Sequence, residues 1–232
     1  MKIESFISKY NIQKIKKLEQ KDPQFLALKE SWEKIQNKDE NLFLYLTLQC
    51  ALVSYQIATE LRRQEFGDKI QKDRKILQNL RQKKQDNSVR YDFLTNSKYN
   101  KRIYNIKTNR IKKFNKILQK NIIFLNFNKL EELSDLISKV MNTKKDSKTN
   151  VFAVKMFYAH EIISKKTIYP MNIQIPVDSR IKRIYTNSLD IKNKVSNTEI
   201  QNYFQTLSKK YNIPPLHLDS ILWLDYWTKF FI

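Results

Sequence analysis

Apolar residues recur at intervals of three and four along nearly the whole chain, and the runs break where proline, asparagine and aspartate gather. That periodicity predicts an all-α protein. Asp22-Pro23 begins a helix, with Asp22 as N-cap and Pro23 at the first helical position, and turns Phe25, Leu28 and Trp32 inward. The most apolar stretch, Leu42 to Ala58, is broken by Thr47, Gln49, Ser54 and Gln56. It falls short of the roughly 18 unbroken apolar residues of a membrane span and reads as a buried core helix. Residues 60–90 are dense in Arg, Lys and Gln, with Phe66, Ile70, Ile76, Leu77 and Leu80 among the few apolar positions, and read as a long solvated helix. A helix over Arg102 to Leu118 places Ile103, Ile106, Ile111, Phe114 and Leu118 inward. From Leu130 the pattern gives a helix to about Met141, a polar hairpin, and a second helix from about Lys148 to Ser164.

Two prolines, Pro170 and Pro176, bound the segment 168–178, and each pushes the residue before it out of helical geometry, so this loop is fixed in shape. A helix follows from Ser179-Arg180-Ile181, and a last one is expected to start at Asn212, with Pro214 and Pro215 in its first turn, and to run to Ile232.

Charge narrows the partners. The 232 residues hold 44 Lys plus Arg against 23 Asp plus Glu, so the formal charge is 44 − 23 = +21. An excess of this size repels itself in a compact domain and favours a polyanion, either nucleic acid or an acidic membrane surface. Gly67 is the single glycine, which excludes Gly-rich phosphate loops and dinucleotide turns. Cys50 is the single cysteine, and with only His160 and His217 beside it no zinc quartet can be assembled. The expectation is a cytoplasmic protein without metal or cofactor. Cys50 reads as core, His160 as structural, and His217 as a surface or pocket-rim group.

Within the second helix of the hairpin pair, Lys148, Phe152 and Lys155 fall within about 60° of one another at about 100° per residue, while Val151, Val154 and Tyr158 share a different face. Lysines in so basic a chain are ordinarily solvated. Lys148, however, occupies the first turn of its helix, where the positive end of the dipole disfavours a protonated amine and ordinary design would place an acid. An amine freed of its proton can attack an electrophilic carbon and go on to a Schiff base. Asp178 follows the rigid apolar Ile175-Pro176-Val177; it is either a plain helix cap or an oriented carboxylate that stabilises a developing cation, and the two roles are compatible. Asp219, Trp223 and Trp227 recur every four residues on one face of the last helix, where a ring beside a carboxylate could stack on a purine and accept from its N–H groups. The same residues could equally form the packed side of an amphipathic helix.

The run Asn142 to Met156, followed by Ile175-Pro176-Val177-Asp178-Ser179-Arg180-Ile181 and by Pro214-Pro215-Leu216-His217-Leu218-Asp219-Ser220-Ile221-Leu222-Trp223-Leu224, resembles the helix-hairpin-helix DNA glycosylases. Within them it is most similar to the archaeal 8-oxoguanine branch, AGOG. Pro23-Gln24-Phe25 and Ser97 to Arg102 extend the resemblance over most of the chain. It implies two helical subdomains around a helix-hairpin-helix of about 130–164, a catalytic loop of 168–180, and an active site in the cleft between the subdomains. It also implies Lys148 as the Schiff-base nucleophile and Asp178 as the catalytic carboxylate, with Gln24, Ser54, Phe152, Lys155, Pro176, Asp219 and Trp223 around the extruded base. The chain departs from the family in two places: the hairpin 142–147 has no glycine, and no tryptophan stands near Phe66, where relatives place a stacking aromatic.

The leading expectation is thus a monomeric, bifunctional glycosylase and lyase acting on 8-oxoguanine in damaged duplex or single-stranded DNA, in an archaeal cytoplasm, without metal or cofactor. A non-catalytic basic DNA-binding module shares the charge and the helices but does not need Lys148 and Asp178 together. A membrane-surface protein would need a strongly apolar terminal helix, which the sequence lacks.

Overall fold

The computed structural model describes residues 3–34, 40–53, 104–121, 130–156, 162–163 and 169–231, and among these there is no strand. Two short helices open the chain, α1 (Ile3–Ile7) and α2 (Ile12–Glu19), followed by α3 (Pro23–Lys34) and α4 (Glu40–Val53). Then come α5 (Tyr104–Asn121), α6 (Leu130–Met141), α7 (Lys148–Lys155), α8 (Ser179–Ser188), α9 (Asn197–Tyr211) and α10 (Pro215–Ile221). A π-helical segment, Leu222–Tyr226, leads from α10 into α11 (Trp227–Phe230).

Local chemistry explains the expected boundaries. Pro23 starts α3, and the Asp22 carboxylate accepts from the Gln24 N–H at 2.9 Å, which satisfies a donor that the helix itself leaves free. Phe25 is buried, with Leu28 and Trp32 packed against the same core. In α4, Phe43, Leu44, Leu48, Ala51 and Leu52 are buried, as a core helix requires. Ser54, Phe66 and the basic run 60–90 lie outside the described residues, as do His160 and the side chain of Cys50.

The missing glycines are replaced by asparagine and aspartate. Asn142, Asp190 and Asn212 take φ of 50°, 50° and 52°, the left-handed region where short polar side chains are the next best tolerated after glycine. Asn142 ends α6 with the Thr143 N–H donating to the Ser138 carbonyl at 3.0 Å, so the hairpin closes without glycine. Asn212 does the same for α9, with the Ile213 N–H on the Ser208 carbonyl at 2.9 Å. The last helix therefore starts at Pro215 rather than Asn212, because Asn212 belongs to the cap of the helix before it.

A second correction concerns α5. Ile106 is 51% exposed, whereas Lys107, Thr108, Ile111 and Phe114 are buried. Positions 107, 111 and 114 share one helical stripe, and residue 106 lies outside it by about 100° at one residue's rotation. Packing sets the face here, not the greatest count of apolar residues.

Two clusters of buried side chains divide the molecule. One gathers residues of α3 to α7 with Tyr169, Ile173 and Leu216. The other gathers residues of α1, α2, α8 and α9 with Ile175, Val177, Leu218, Ile221, Leu222 and Tyr226. The loop leading to Asp178 and helix α10 thus contribute to both clusters: Ile173 faces one and Ile175 the other, Leu216 one and Leu218 the other. Asp178 and Asp219 sit on these two bridging segments.

Candidate active site

The hairpin between α6 and α7 fixes the start of α7. Asn150, fully buried, donates from Nδ2 to the Lys144 carbonyl at 2.9 Å and accepts the Thr143 hydroxyl at 3.0 Å. Ser147 stands at the N-cap, but its hydroxyl makes no capping bond. Lys148 is then the first helical residue, a cation at the positive end of the dipole. An acid faces it from another part of the chain: Lys148 Nζ lies 3.9 Å from Asp178 Oδ2.

Asp178 divides its two oxygens between two tasks. Oδ1 accepts from the Arg180 N–H at 2.9 Å and the Ile181 N–H at 3.0 Å, capping α8. Oδ2 is turned to the cations, Lys148 and the Arg180 guanidinium, the latter at 3.3 Å. The capping reading holds, and it leaves Oδ2 of the same group turned toward Lys148 and Arg180. The Asp178 side chain is 16% exposed and that of Lys148 59%, which leaves the amine open to a large ligand while the carboxylate stays fixed.

About two turns further on, α7 ends in a very different lysine. Lys155 is buried and donates from Nζ to Asp219 Oδ2 in α10, while the Tyr169 hydroxyl donates to its carbonyl. Burial works against the ammonium, but Asp219, with Asp22 and Glu19 adding to it, outweighs burial and holds Lys155 above its ordinary range. Burial holds the Asp219 carboxyl above its ordinary range against the pull of the Lys155 ammonium, and the charge of Asp178 adds to that rise. Asp178 and Asp219 are therefore within electrostatic reach of each other, and the two lysine–carboxylate pairs form one site.

Trp223 lies in the π-helical segment, half-buried, with the Arg180 guanidinium over its ring. A guanidinium on an aromatic face is attracted by the ring quadrupole. Arg180 thus touches the Asp178 carboxylate and the Trp223 ring together. The π segment also changes the expected face of the last helix. The Trp227 N–H reaches back to the Leu222 carbonyl, five residues, so Trp227 falls out of the four-residue series with Asp219 and Trp223. Trp227 instead stacks on Phe231, centroids 4.6 Å apart, beside the second core.

The remaining predicted residues are placed as follows. Phe152 is half-buried on α7 between the two lysines and packs against the first core. Pro176 is buried in the loop two residues before Asp178. Gln24 is half-buried at the second position of α3, and the bond described for it is the backbone one to Asp22. Ser54 cannot be set beside them, being outside the described residues. His217, expected at the surface or the pocket rim, is 1% exposed and pairs through Nδ1 with Glu19 at 2.9 Å. The correction has a physical cause: α10 is buried along its entire length, so its polar residues must find internal partners.

Sequence reasoning missed Arg180 and Glu19. Arg180 carries no local signal beyond its place in the first turn of α8. Glu19 does: it follows Ile12 and Ile15 at helical spacing, an acid on the apolar stripe of α2. Among the described residues no group of three or more His, Cys, Asp or Glu could hold a metal ion, and no helix is long and apolar enough to cross a membrane. What the arrangement offers is an accessible amine against a fixed carboxylate, with a buried ion pair and an aromatic ring alongside.

Comparison with known proteins identifies the family. The model of the AGOG family, described as N-glycosylase/DNA lyase, matches residues 4–229. An N-glycosylase/DNA lyase of Methanococcus maripaludis is 38% identical over 92% of this chain and 82% of its own length. Another, of Methanopyrus kandleri, is 31% identical over 97% of this chain and 88% of its own. The fold matches a crystal structure of 8-oxoguanosine-complexed Pa-AGOG, the 8-oxoguanine DNA glycosylase from Pyrobaculum aerophilum, with a TM-score of 0.74 at 22% identity, covering 95% of this chain and 84% of that one. On sequence and on fold alike, the chain belongs to the AGOG family of N-glycosylase/DNA lyases, enzymes of DNA repair.

Proposed function

We propose that this protein, acting as a monomer, removes 8-oxoguanine from DNA and nicks the strand, with Lys148 as nucleophile and Asp178 as the carboxylate that supports it. The observation that carries the reading is the Lys148–Asp178 approach of 3.9 Å between an accessible amine on one core and a capped carboxylate on the segment that joins the two. The damaged nucleotide is extruded from the duplex, since its C1′ cannot be reached inside the stack. Lys148 Nζ bonds to C1′ as the glycosidic bond breaks and the base departs with the bonding electrons. Positive charge that develops at the sugar is offset by Asp178 Oδ2, which is held in place before the reaction and needs no reorganisation. One N–H proton then passes to O4′ as the C1′–O4′ bond opens, which gives the protonated Schiff base; loss of the acidified C2′ proton forms the C2′–C3′ double bond and expels the 3′ phosphate.

Recognition falls to the inner half of the site. Trp223 stacks on the extruded base, Phe152 and Pro176 border it, and Lys155 with Asp219 presents a donor and an acceptor for its edge; Gln24 and Ser54 complete the contacts. Support for 8-oxoguanine in particular comes from the 8-oxoguanine glycosylase whose fold this chain shares. The excess of +21 supplies sequence-independent attraction to phosphates.

The test is a duplex carrying one 8-oxoguanine, assayed for free base, for nicking and for a covalent adduct on borohydride reduction. All three are expected. DNA binding without an adduct on this duplex or on an abasic one would favour the non-catalytic module instead.

A further inference from the structure

The mechanism leaves one buried acid without a role. Glu19 closes α2 and its side chain is 2% exposed. Its Oε1 accepts the Ser220 hydroxyl at 2.7 Å and pairs with His217 Nδ1 at 2.9 Å. On the far side of the imidazole the Tyr169 N–H points at Nε2, 3.5 Å away, and the two rings lie 4.7 Å apart. An N–H aimed at Nε2 leaves the imidazole hydrogen on Nδ1, where it donates to Glu19. Glu19 Oε2 has no hydrogen-bond partner among the described residues.

A carboxylate in such a place is costly, and an apolar side chain would fill the same space more stably. Its two partners explain where that cost goes. His217 and Ser220 flank Asp219 in α10, two residues before it and one after. No other described side chain bonds Glu19, so α2 grips α10 at the very turn from which Asp219 meets Lys155. Tyr169 closes the same circuit, because its N–H faces His217 while its hydroxyl bonds the Lys155 carbonyl. One connected set of bonds therefore runs from Glu19 to both members of the buried ion pair.

We propose that Glu19 is a positioning residue for damaged-base recognition, holding α10 in the rotation that sets Asp219 against Lys155. The inference rests on the reading of that pair as part of the base pocket. It does not involve Lys148 or Asp178, whose chemistry on a site already lacking its base needs no base pocket.

The experiment compares single-turnover rates on two duplexes, one with 8-oxoguanine and one with a preformed abasic site. Glu19→Ala should slow excision about tenfold or more relative to abasic nicking, because a small misplacement of recognition groups is enough to lose that much. Glu19→Gln should stay within about threefold, since its amide oxygen still accepts both bonds. If Glu19→Ala fails to fold, Ser220→Ala decides: it drops one of the two bonds and should lower the same ratio about threefold. An unchanged ratio in the folded alanine variants, with both activities falling together, would make the cluster a plain structural plug. A Gln variant as impaired as the Ala variant would replace placement by charge and overturn the proposal. Wild-type protein that nicks abasic DNA but leaves 8-oxoguanine in place would overturn the substrate reading, and this inference with it; excision by wild type with unchanged variants would overturn this inference alone.

Discussion

Lys148 and Lys155 stand on the same face of one eight-residue helix, each opposite an aspartate from a distant segment, yet the roles proposed for them, nucleophile and recognition group, ask for opposite surroundings. The outer pair is loose and wet, with 3.9 Å between nitrogen and oxygen and the lysine side chain 59% exposed. The inner pair is in contact and dry, at 7% and 11% exposure. A reacting amine has to lose a proton and move, so a tight buried carboxylate would trap it; a recognition group has to stay charged and still, so solvent would loosen it. Position within the helix decides between them. Lys148 is at the end where the dipole opposes its charge, Lys155 at the end where the dipole favours it.

The largest test of that contrast is to remove each amine in turn. Lys148→Gln is expected to abolish adduct formation and nicking while DNA binding persists, because one charge among 44 basic residues adds little to phosphate affinity. Lys155→Gln should still form the adduct on abasic DNA. An adduct that follows Lys155 instead would exchange the two roles.

Stability should respond in the reverse order. Lys155→Met leaves Asp219 buried without its partner and should cost about 3–5 kcal/mol in denaturant unfolding, against little for Lys148→Gln. The pH dependence has a definite sign. Because the folded protein holds the Lys155 ammonium above its ordinary value of 10.5, its contribution is complete below that value and is lost only as pH rises through the higher folded one. The gap in Tm between wild type and Lys155→Met should therefore persist through neutral pH and narrow only in the alkaline range beyond 10.5. Narrowing near neutrality would show that the ammonium is not held charged.

Asp178→Asn separates capping from catalysis. Asparagine caps helices as well, so folding should be kept, while the chemical step slows by roughly 10²–10³, or about 3–4 kcal/mol. Near-normal single-turnover rates would reduce Asp178 to a cap. Trp223→Ala should give the smallest change, about 1–3 kcal/mol, felt on 8-oxoguanine excision more than on abasic nicking. Equal losses on both would return the ring to packing.

What could be read from the sequence was local. Asp22-Pro23, the helix ending at Met141, Asp178 before Ser179 and Lys148 at a helix start each follow from neighbouring residues, and the structure has all four. The pairings were not legible: the family resemblance put Lys155 and Asp219 around one base without pairing them and gave Glu19 no role, because the partners are 64 residues apart in the first case and 198 in the pair of Glu19 with His217, and no helical period reaches so far. Ile106 and Lys107 show the limit from another side: counting apolar residues cannot fix the buried stripe when a lysine stem can pack within it. Asn212 shows a third, since the same residue type opens helices as an N-cap and closes them in the left-handed conformation.

The π segment Leu222–Tyr226 carries one residue more than an α-helical turn would, and so acts as a phase shifter in the last helix. Upstream of it, Asp219 answers to Lys155. From its last residue onward, Tyr226 and Phe230 answer to Phe6 of α1, whose ring they meet edge-on at 5.0 and 5.9 Å. A continuous α-helix would tie these two requirements together, so that any change in the angle at which the base is read would twist the anchor against the N-terminus. With the extra residue between them, the Asp219 end, which the proposed function assigns to the base, and the anchor can be tuned separately. Deleting one residue from 222–226 should leave a regular helix and an intact composition, yet rotate the anchor by about 100° against its socket.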